Sequence, residues 1–381
     1  MIQIEEKKNC CGCGACVAKC PKHCIELIDD NEGFWYPQIK NNSCIQCNLC
    51  IKSCPILQEK KEVEVKPKQS LIAYAKSDKI RLASSSGGLF SLFAKTIIES
   101  NGIVIGAAFD EKFMVHHIPI SSEEELEKLQ GSKYLQSRIE DTYQIAEKNL
   151  LIGKSVLFSG TACQIAGLKN YLQKDYLNLY TIDVLCHGVP SPKVWKKYLL
   201  EQENIHDAVV QKVSFRQKNK GWKMFSLSLG FTNKKTYSQV YKKDLFMRMF
   251  LNDICLRPSC HNCKFKSISR HSDITLGDCW GIEKHSAEMD DDRGASIVLV
   301  HSQKGTELFK KVIEELEVKE MDVDIILPAT ADSRKSVEAH PNRNKFFRYL
   351  NQDKSIFELE NLIKPPLLYR ARQKAKKIFE N

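Results

Sequence analysis

The stretch NCCGCGACVAKCP, residues 9 to 21, places Cys10, Cys13, Cys16 and Cys20 in the spacing C-x2-C-x2-C-x3-C-P. The same spacing returns in SCIQCNLCIKSCP, residues 43 to 55, as Cys44, Cys47, Cys50 and Cys54, each at a constant offset from its counterpart (10 to 44, 20 to 54). In such a run three closely spaced thiolates cap one iron–sulfur cube, while the fourth, beyond a turn, reaches a second cube. By that geometry Cys10, Cys13, Cys16 and Cys54 hold one 4Fe-4S cluster, and Cys44, Cys47, Cys50 and Cys20 hold the other.

This is the run of bacterial two-cluster ferredoxins, so residues 1–57 are expected to form an α+β ferredoxin-like module. Two rivals compete with it. Zinc is satisfied by four ligands in a tetrahedron and has no use for a triple C-x2-C-x2-C followed by C-P, twice over. A disulfide scaffold suits an exported chain, and no charged segment followed by an apolar one opens this sequence. Cys11 and Cys24 fall outside the repeat. Cys11 reads as a bystander, Cys24 as a core thiol or one lying behind the ligands.

With 381 residues, 43% of them hydrophobic and 27% charged, the chain suffices for two or three domains. No run approaches the eighteen or so apolar residues needed to cross a bilayer, so no membrane span is expected. Sixteen cysteines without an export signal point to a reducing, cytoplasmic setting and to metal ligation. The formal charge of +10 raises nucleic acid as a partner, but the lysines form no stripe interleaved with aromatics and no recognised binding module. An acidic electron carrier or an anionic cofactor suits the charge better.

Residues 58 to 69, QEKKEVEVKPKQ, are polar and charged and read as a linker. From SLIAYAKS onward short apolar runs alternate with helical patterns: IVIGAAF (103 to 109), SSEEELEKLQ, SVLFSG (155 to 160), TACQIAGLKNYL and LYTIDVLCHG (179 to 188). Buried strands followed by helices argue for an α/β domain on a central sheet. Further strands are expected in VVQKVSFRQK, MFSLSLGF and SIVLVHS, the last followed by the helical GTELFKKVIEEL. In RLASSSGGLFSLFAKTIIES, Ser84 to Gly88 precede a helix whose Leu89, Phe93 and Ile97 share one face. That segment reads either as a nest of backbone donors for a phosphate or as a serine cap with a glycine turn. Neither GxGxxG in a strand-turn-helix unit nor GxxxxGK[ST] occurs. The run Asp290 to Asp292 reads as a solvated loop or as a surface meeting a basic carrier.

Six cysteines remain: Cys163, Cys186, Cys255, Cys260, Cys263 and Cys279. A lone cysteine is usually a small buried hydrophobe, but so many on predicted turns make a third cluster plausible. A zinc knuckle or a redox-active Cys260/Cys263 pair are its competitors.

The stretches ASSSGGLFS, GSKYLQS, SGTACQIAGL, DVLCHGVPSP, LRPSCHNCKF and SDITLGDCWG resemble, in order over roughly residues 70 to 285, the beta subunits of coenzyme F420-reducing hydrogenases and dehydrogenases. The resemblance implies FAD in the α/β domain, with a third 4Fe-4S cluster beside it. It implies that Ser86, Gly87 and Gly88 take part in the FAD pyrophosphate or ribityl site and that Thr161 and Gln164 line the flavin pocket. Lys133 is the candidate catalytic residue, a positive charge near the ring system or an anionic cofactor, with Tyr134 packing there; the plainer reading of the pair is an exposed lysine and a core tyrosine. Cys163, Cys186, Cys260 and Cys263 are the favoured ligands of the third cluster, with Cys255 and Cys279 as substitutes. Two positions depart from the family pattern: Ala162 stands where proline is expected and Cys279 where an aromatic residue is expected.

The architecture therefore reads as an α+β ferredoxin-like module (1–57), a linker (58–70), an α/β flavin-binding domain with a central sheet (71–354) and a carboxy-terminal helical extension (355–381). The expected activity is that of an iron–sulfur, flavin-dependent oxidoreductase exchanging single electrons with a two-electron or hydride partner through FAD. Its partners would be ferredoxin or another redox protein or subunit, and a small reducible substrate such as F420. The alternative is a non-catalytic iron–sulfur relay subunit of a larger redox complex.

Overall fold

The computed structural model describes residues 2–40, 43–58, 65–328 and 334–366. Near the amino terminus β1 (Ile25–Asp29) and β2 (Trp35–Ile39) form an antiparallel hairpin between the two cysteine runs. The repeat is visible in the backbone itself. Gly12 and Gly14 turn the first run with φ of 69° and 74°, and at the matching positions Gln46 and Asn48 take φ of 55° and 59°. A one-turn helix follows each pair, Ala15–Ala18 and Leu49–Lys52.

The main body carries β3 (Gln69–Ala75), β4 (Ile103–Phe109), β5 (Val115–Ile120), β6 (Val156–Thr161), β7 (Leu179–Val184), β8 (Val210–Gln217), β9 (Ser226–Phe231), β10 (Thr236–Val240), β11 (Ile274–Asp278), β12 (Ser296–Val300) and β13 (Leu316–Glu320). Eight of these form one mixed sheet in the order β13-β3-β12-β11-β7-β6-β4-β5, and β10-β9-β8 form a second, antiparallel one. Within the large sheet β4, β6, β7 and β11 are parallel neighbours, while β5, β12, β3 and β13 add antiparallel pairs.

Parallel strands covered on both faces are predominantly apolar, as β4 is throughout, whereas β6 ends in Ser159 to Thr161 and β7 carries the buried Thr181 and Asp183. Val104 and Leu157 pack on one face with the helices Leu89–Glu99 and Gln303–Val312. Ile103, Ile105, Val156 and Phe158 pack on the other with Thr142–Leu151 and Ala162–Leu172, where Ala15 and Cys13 of the amino-terminal module join the same core. A separate core gathers the small sheet, the helices Pro192–His206 and Leu245–Leu251, and Phe346 and Phe347.

Three expectations change. SSEEELEKLQ yields only the single helical turn Leu126–Leu129 before the chain turns back at Gly131. Gln69, expected in the linker, already pairs with Val300 as the first residue of β3, and residues 59–64 lie outside the described residues. The expected helical extension begins as a 3-10 helix, Glu358–Ile363, with Leu359 and Ile363 buried, and its residues 367–381 lie outside the described residues.

Candidate functional site

The positive-φ turns curl each cysteine run around a recess. One recess, of about 340 Å³, is lined by Cys10, Cys11, Cys13, Cys16 and, from the second run, Cys54, with Ile2, Ile4, Leu27 and Ile56 as apolar walls. The other, of about 370 Å³, is lined by Cys44, Cys47, Cys50 and, from the first run, Cys20, together with Cys24. The crossing of the fourth thiol is thus present in the chain path. The first recess faces the main body and is the inner one; the second, with the exposed Cys47 on its rim, is the outer one. Cys24 Sγ lies 3.4 Å from Cys20 Sγ. Among the described residues no three His, Cys, Asp or Glu side chains converge closely enough to hold a single metal ion. Sulfurs around a recess fit a cluster of atoms, with apolar walls excluding water.

Cys163, Cys186, Cys260 and Cys263 come together from three places: the first turn of the helix Ala162–Leu172 directly after β6, the turn after β7, and the 3-10 helix Pro258–Asn262 with the residue after it. Each thiol in the group is pushed up in pKa. Desolvation raises Cys186 to about 12, with Cys163 and Cys263 adding to it. Burial likewise raises Cys260 and Cys263, with Cys163 contributing to both. Cys163 is raised well above the usual thiol range, first by its interaction with Cys11. Such mutual penalties are what closely grouped thiols impose until a metal takes their protons.

Cys255 and Cys279, the substitutes, lie elsewhere. Burial raises both to about 12, with no other cysteine contributing. Cys279 is 1% exposed and packs with Trp222, Ile282 and Ile297, filling the aromatic position of the family pattern as a core residue. Cys11, read from sequence as a bystander, is instead a junction: its thiol interacts with both Cys13 of the inner recess and Cys163 of the third group.

The motif GSKYLQS runs across these features. Lys133 Nζ bonds the carbonyls of Gln130 and Gly131 at 2.9 and 3.2 Å, and desolvation lowers its pKa to about 7. Tyr134 packs against Phe215 and Phe250 and accepts a bond from Arg216 Nη1 at 2.9 Å. Gln136 reaches the Cys11 carbonyl, and Ser137 meets His117 and Gln164. One extended segment thereby spans from the serine-glycine loop to the cysteine junction.

Ser86, Gly87 and Gly88 lie between the helices Asp78–Ala83 and Leu89–Glu99 and are bonded into the fold. Ser86 Oγ donates to the Ala295 carbonyl, and Gly87 N–H to Ser296 Oγ. Arg216 Nη2 reaches the Ser85 carbonyl, and Lys218 Nζ that of Ser86. Gly88, φ 91°, forms the N-cap of Leu89–Glu99. Thr161 and Gln164 form a capping box at the start of Ala162–Leu172, and Thr161 Oγ1 lies 3.1 Å from Cys163 Sγ. Ala162 occupies the first turn of that helix, where proline is also tolerated. The structure thus joins Tyr134 to the Ser85 carbonyl through Arg216 and reaches Ser86 through Lys218, leaves Lys133 on the Gln130 and Gly131 carbonyls, and sets Thr161 and Gln164 beside the third thiol group.

Arg216, Lys218, Gln136 and Arg257 were not found from sequence. Arg216 forms a bidentate pair with Asp278 at 2.9 and 3.2 Å, and its guanidinium lies over Phe225 and Trp280. Trp280, half exposed, stacks on Trp222 with centroids 4.6 Å apart. Two buried polar atoms, Arg216 Nε and Gln217 Oε1, have no partner among the described residues. Unpaired polar atoms beside an aromatic shelf and a desolvated amine fit a polar, anionic, ring-bearing ligand. Asp290 to Asp292 are not a solvated run: Asp290 bonds Lys223, Asp291 holds Arg81 with two contacts of 2.6 Å, and Asp292 accepts from the Lys223 N–H.

The fold and the thiols define a cysteine-rich mixed α/β protein in which three thiol groups follow one another from an exposed rim to the carboxyl edge of a central sheet. Residues 153–324 match the family model for the carboxy-terminal part of the beta subunit of coenzyme F420 hydrogenase/dehydrogenase, and over that segment the chain is similar to this family. No curated protein matches the chain. Among solved structures it is similar to a chain of the F420-reducing nickel–iron hydrogenase complex from Methanosarcina barkeri, at 17% identity and a TM-score of 0.48, over 79% of this chain and 95% of that one. No helix among the described residues is long and apolar enough to cross a membrane.

Proposed function

We propose that this chain is the iron–sulfur flavoprotein subunit of an oxidoreductase, exchanging single electrons at its amino-terminal module with a two-electron or hydride partner in its main body. The observation that carries the reading is the serial contact of thiols: outer recess, inner recess, Cys11 between Cys13 and Cys163, then Cys186, Cys260 and Cys263. When bound, iron–sulfur clusters supply one-electron transfer and FAD couples it to hydride chemistry. Cys10, Cys13, Cys16 and Cys54 would hold one 4Fe-4S cluster, Cys44, Cys47, Cys50 and Cys20 a second, and Cys163, Cys186, Cys260 and Cys263 a third. Arg216, Lys133 and the Ser86–Gly88 turn would bind and orient FAD, with Trp280 and Tyr134 excluding water from its ring. The family's own name makes F420, an anionic hydride carrier, the first small substrate to test, and ferredoxin or another redox subunit the one-electron partner.

A second reading, a relay without flavin, draws on the internal bonding of Ser86, Gly87, Thr161 and Gln164, which already have protein partners. One experiment separates the two: anaerobic purification, reconstitution with iron, sulfide and FAD, a visible spectrum, and quantitation of flavin released by acid. The first reading expects about one FAD and about twelve irons per chain. Iron without flavin would establish the relay, and about eight irons would remove the third cluster.

A further inference from the structure

Arg257 is 0% exposed, and among the described residues it forms no ion pair. Its Nε donates to the Cys10 carbonyl at 2.9 Å, and Nη2 donates to the Trp35 carbonyl at 2.9 Å and lies 3.7 Å from Cys10 Sγ. Nη1 donates to Gln136 Oε1 at 3.0 Å, and Gln136 in turn donates to the Cys11 carbonyl. The guanidinium also lies over the rings of Tyr36 and Phe34. The nearby carboxylates are engaged elsewhere, Asp30 with Lys7 and Glu32 with Arg343. The Arg257 carbonyl accepts from the Cys260 N–H at 2.9 Å, so the residue joins the inner recess to the third group. Among the described residues no hydrogen bond from a guanidinium or ammonium reaches a thiol of the outer recess, where Cys24 meets Cys20 and Cys44.

We infer that Arg257 is a potential-setting residue: an uncompensated buried charge that stabilises an added electron at the junction of the inner recess and the third thiol group, and leaves the outer recess unaffected. Cluster potentials rise with positive charge and with hydrogen bonds to sulfur, and a charge acts strongly where water is excluded. In the step this favours, the outer centre is oxidised by one electron and the inner centre reduced by the same electron, with no bond or proton moved; a one-electron carrier protein replaces the electron outside. The inference rests on the proposal that the recesses hold clusters, and its test separates the two.

The experiment is a potentiometric titration of the full chain, reconstituted anaerobically and followed by paramagnetic resonance, with the outer signal identified by its response to Cys47→Ser. In Arg257→Gln the potentials of the inner centre and the third centre should fall while the outer one holds, and Arg257→Lys should restore most of the loss. Gln136→Glu, which sets a carboxylate against the intact guanidinium, should lower the same two, and it decides the matter if Arg257→Gln fails to retain iron. Unchanged inner potentials in iron-loaded variants, or an equal shift at all three centres, would overturn the role of Arg257. Absence of cluster signals in the wild-type chain would instead remove the clusters, and the inference with them.

Discussion

Lys133 carries an amine whose ordinary pKa of about 10.4 is brought to about 7 by desolvation. Between those values the unfolded chain binds the extra proton, so this residue makes stability rise with pH from about 7 towards 10. The same group governs an anionic ligand with the opposite sign: protonated below about 7, it favours the anion, and the advantage fades above. Flavin affinity, followed by fluorescence quenching, should therefore weaken as pH rises from 6 to 9. Lys133→Met should flatten that profile and cost about tenfold to a hundredfold in affinity at pH 6, the value of a charged hydrogen bond. Arg216 and Asp278 form a buried pair whose removal on one side leaves the other charge stranded. Arg216→Met should lower unfolding free energy by about 3–5 kcal/mol in urea titrations, and the double variant with Asp278→Asn should lose less than the sum. The eight amino-terminal cysteines are legible in sequence because their spacing is local. Arg216 and Arg257 are not, since one sits among other polar residues in β8 (VQKVSFRQ) and the other beside a proline, and what makes each special is a partner far along the chain.

At the scale of elements, the runs 103–109, 155–160 and 179–188 announce β4, β6 and β7 because strands buried on both faces are predominantly apolar, even though β7 also buries Thr181 and Asp183. Edge and near-edge strands are harder to read. β5 (VHHIPI), β10 (TYSQV) and β13 (LEVKE) mix polar residues with few apolar ones, and tertiary pairing decides them. The serine-glycine loop was legible as a turn before a helix, but not its dependence on β12. A Cβ on Gly87 would lie 2.5 Å from the Ala73 carbonyl oxygen and 2.9 Å from Ser296 Oγ. Gly87→Ala must therefore push β3 and β12 apart or displace the loop. It should cost about 1–3 kcal/mol, measured by thermal denaturation under anaerobic conditions, and should weaken flavin retention more than iron retention.

At the scale of the molecule, the crossed thiols predict which variants behave alike. Cys54→Ala should lose about four irons together with the signal that Cys10→Ala loses, although Cys54 belongs to the second run. Cys20→Ala should share its lost signal with Cys44→Ala. Iron analysis with paramagnetic resonance reads both, and pairing by sequence run instead would overturn the ligand sets.

The hairpin and its two recesses are bound into the main body at many points. Arg343 holds Glu32 with contacts of 2.9 and 2.5 Å, Ser191 bonds the Glu32 carbonyl, Gln144 bonds the Ala18 carbonyl, and Arg257 and Gln136 grip the inner run. A Cβ on Gly167 would come within 3.0 Å of Cys13 Sγ, so helix and cysteine loop are in intimate contact. The gene therefore cannot be cut after the second cysteine run to yield a free miniature carrier and a working remainder. Each half would present torn surface to water, and the cysteine-rich module and the body that grips it have to be inherited, expressed and engineered as one piece.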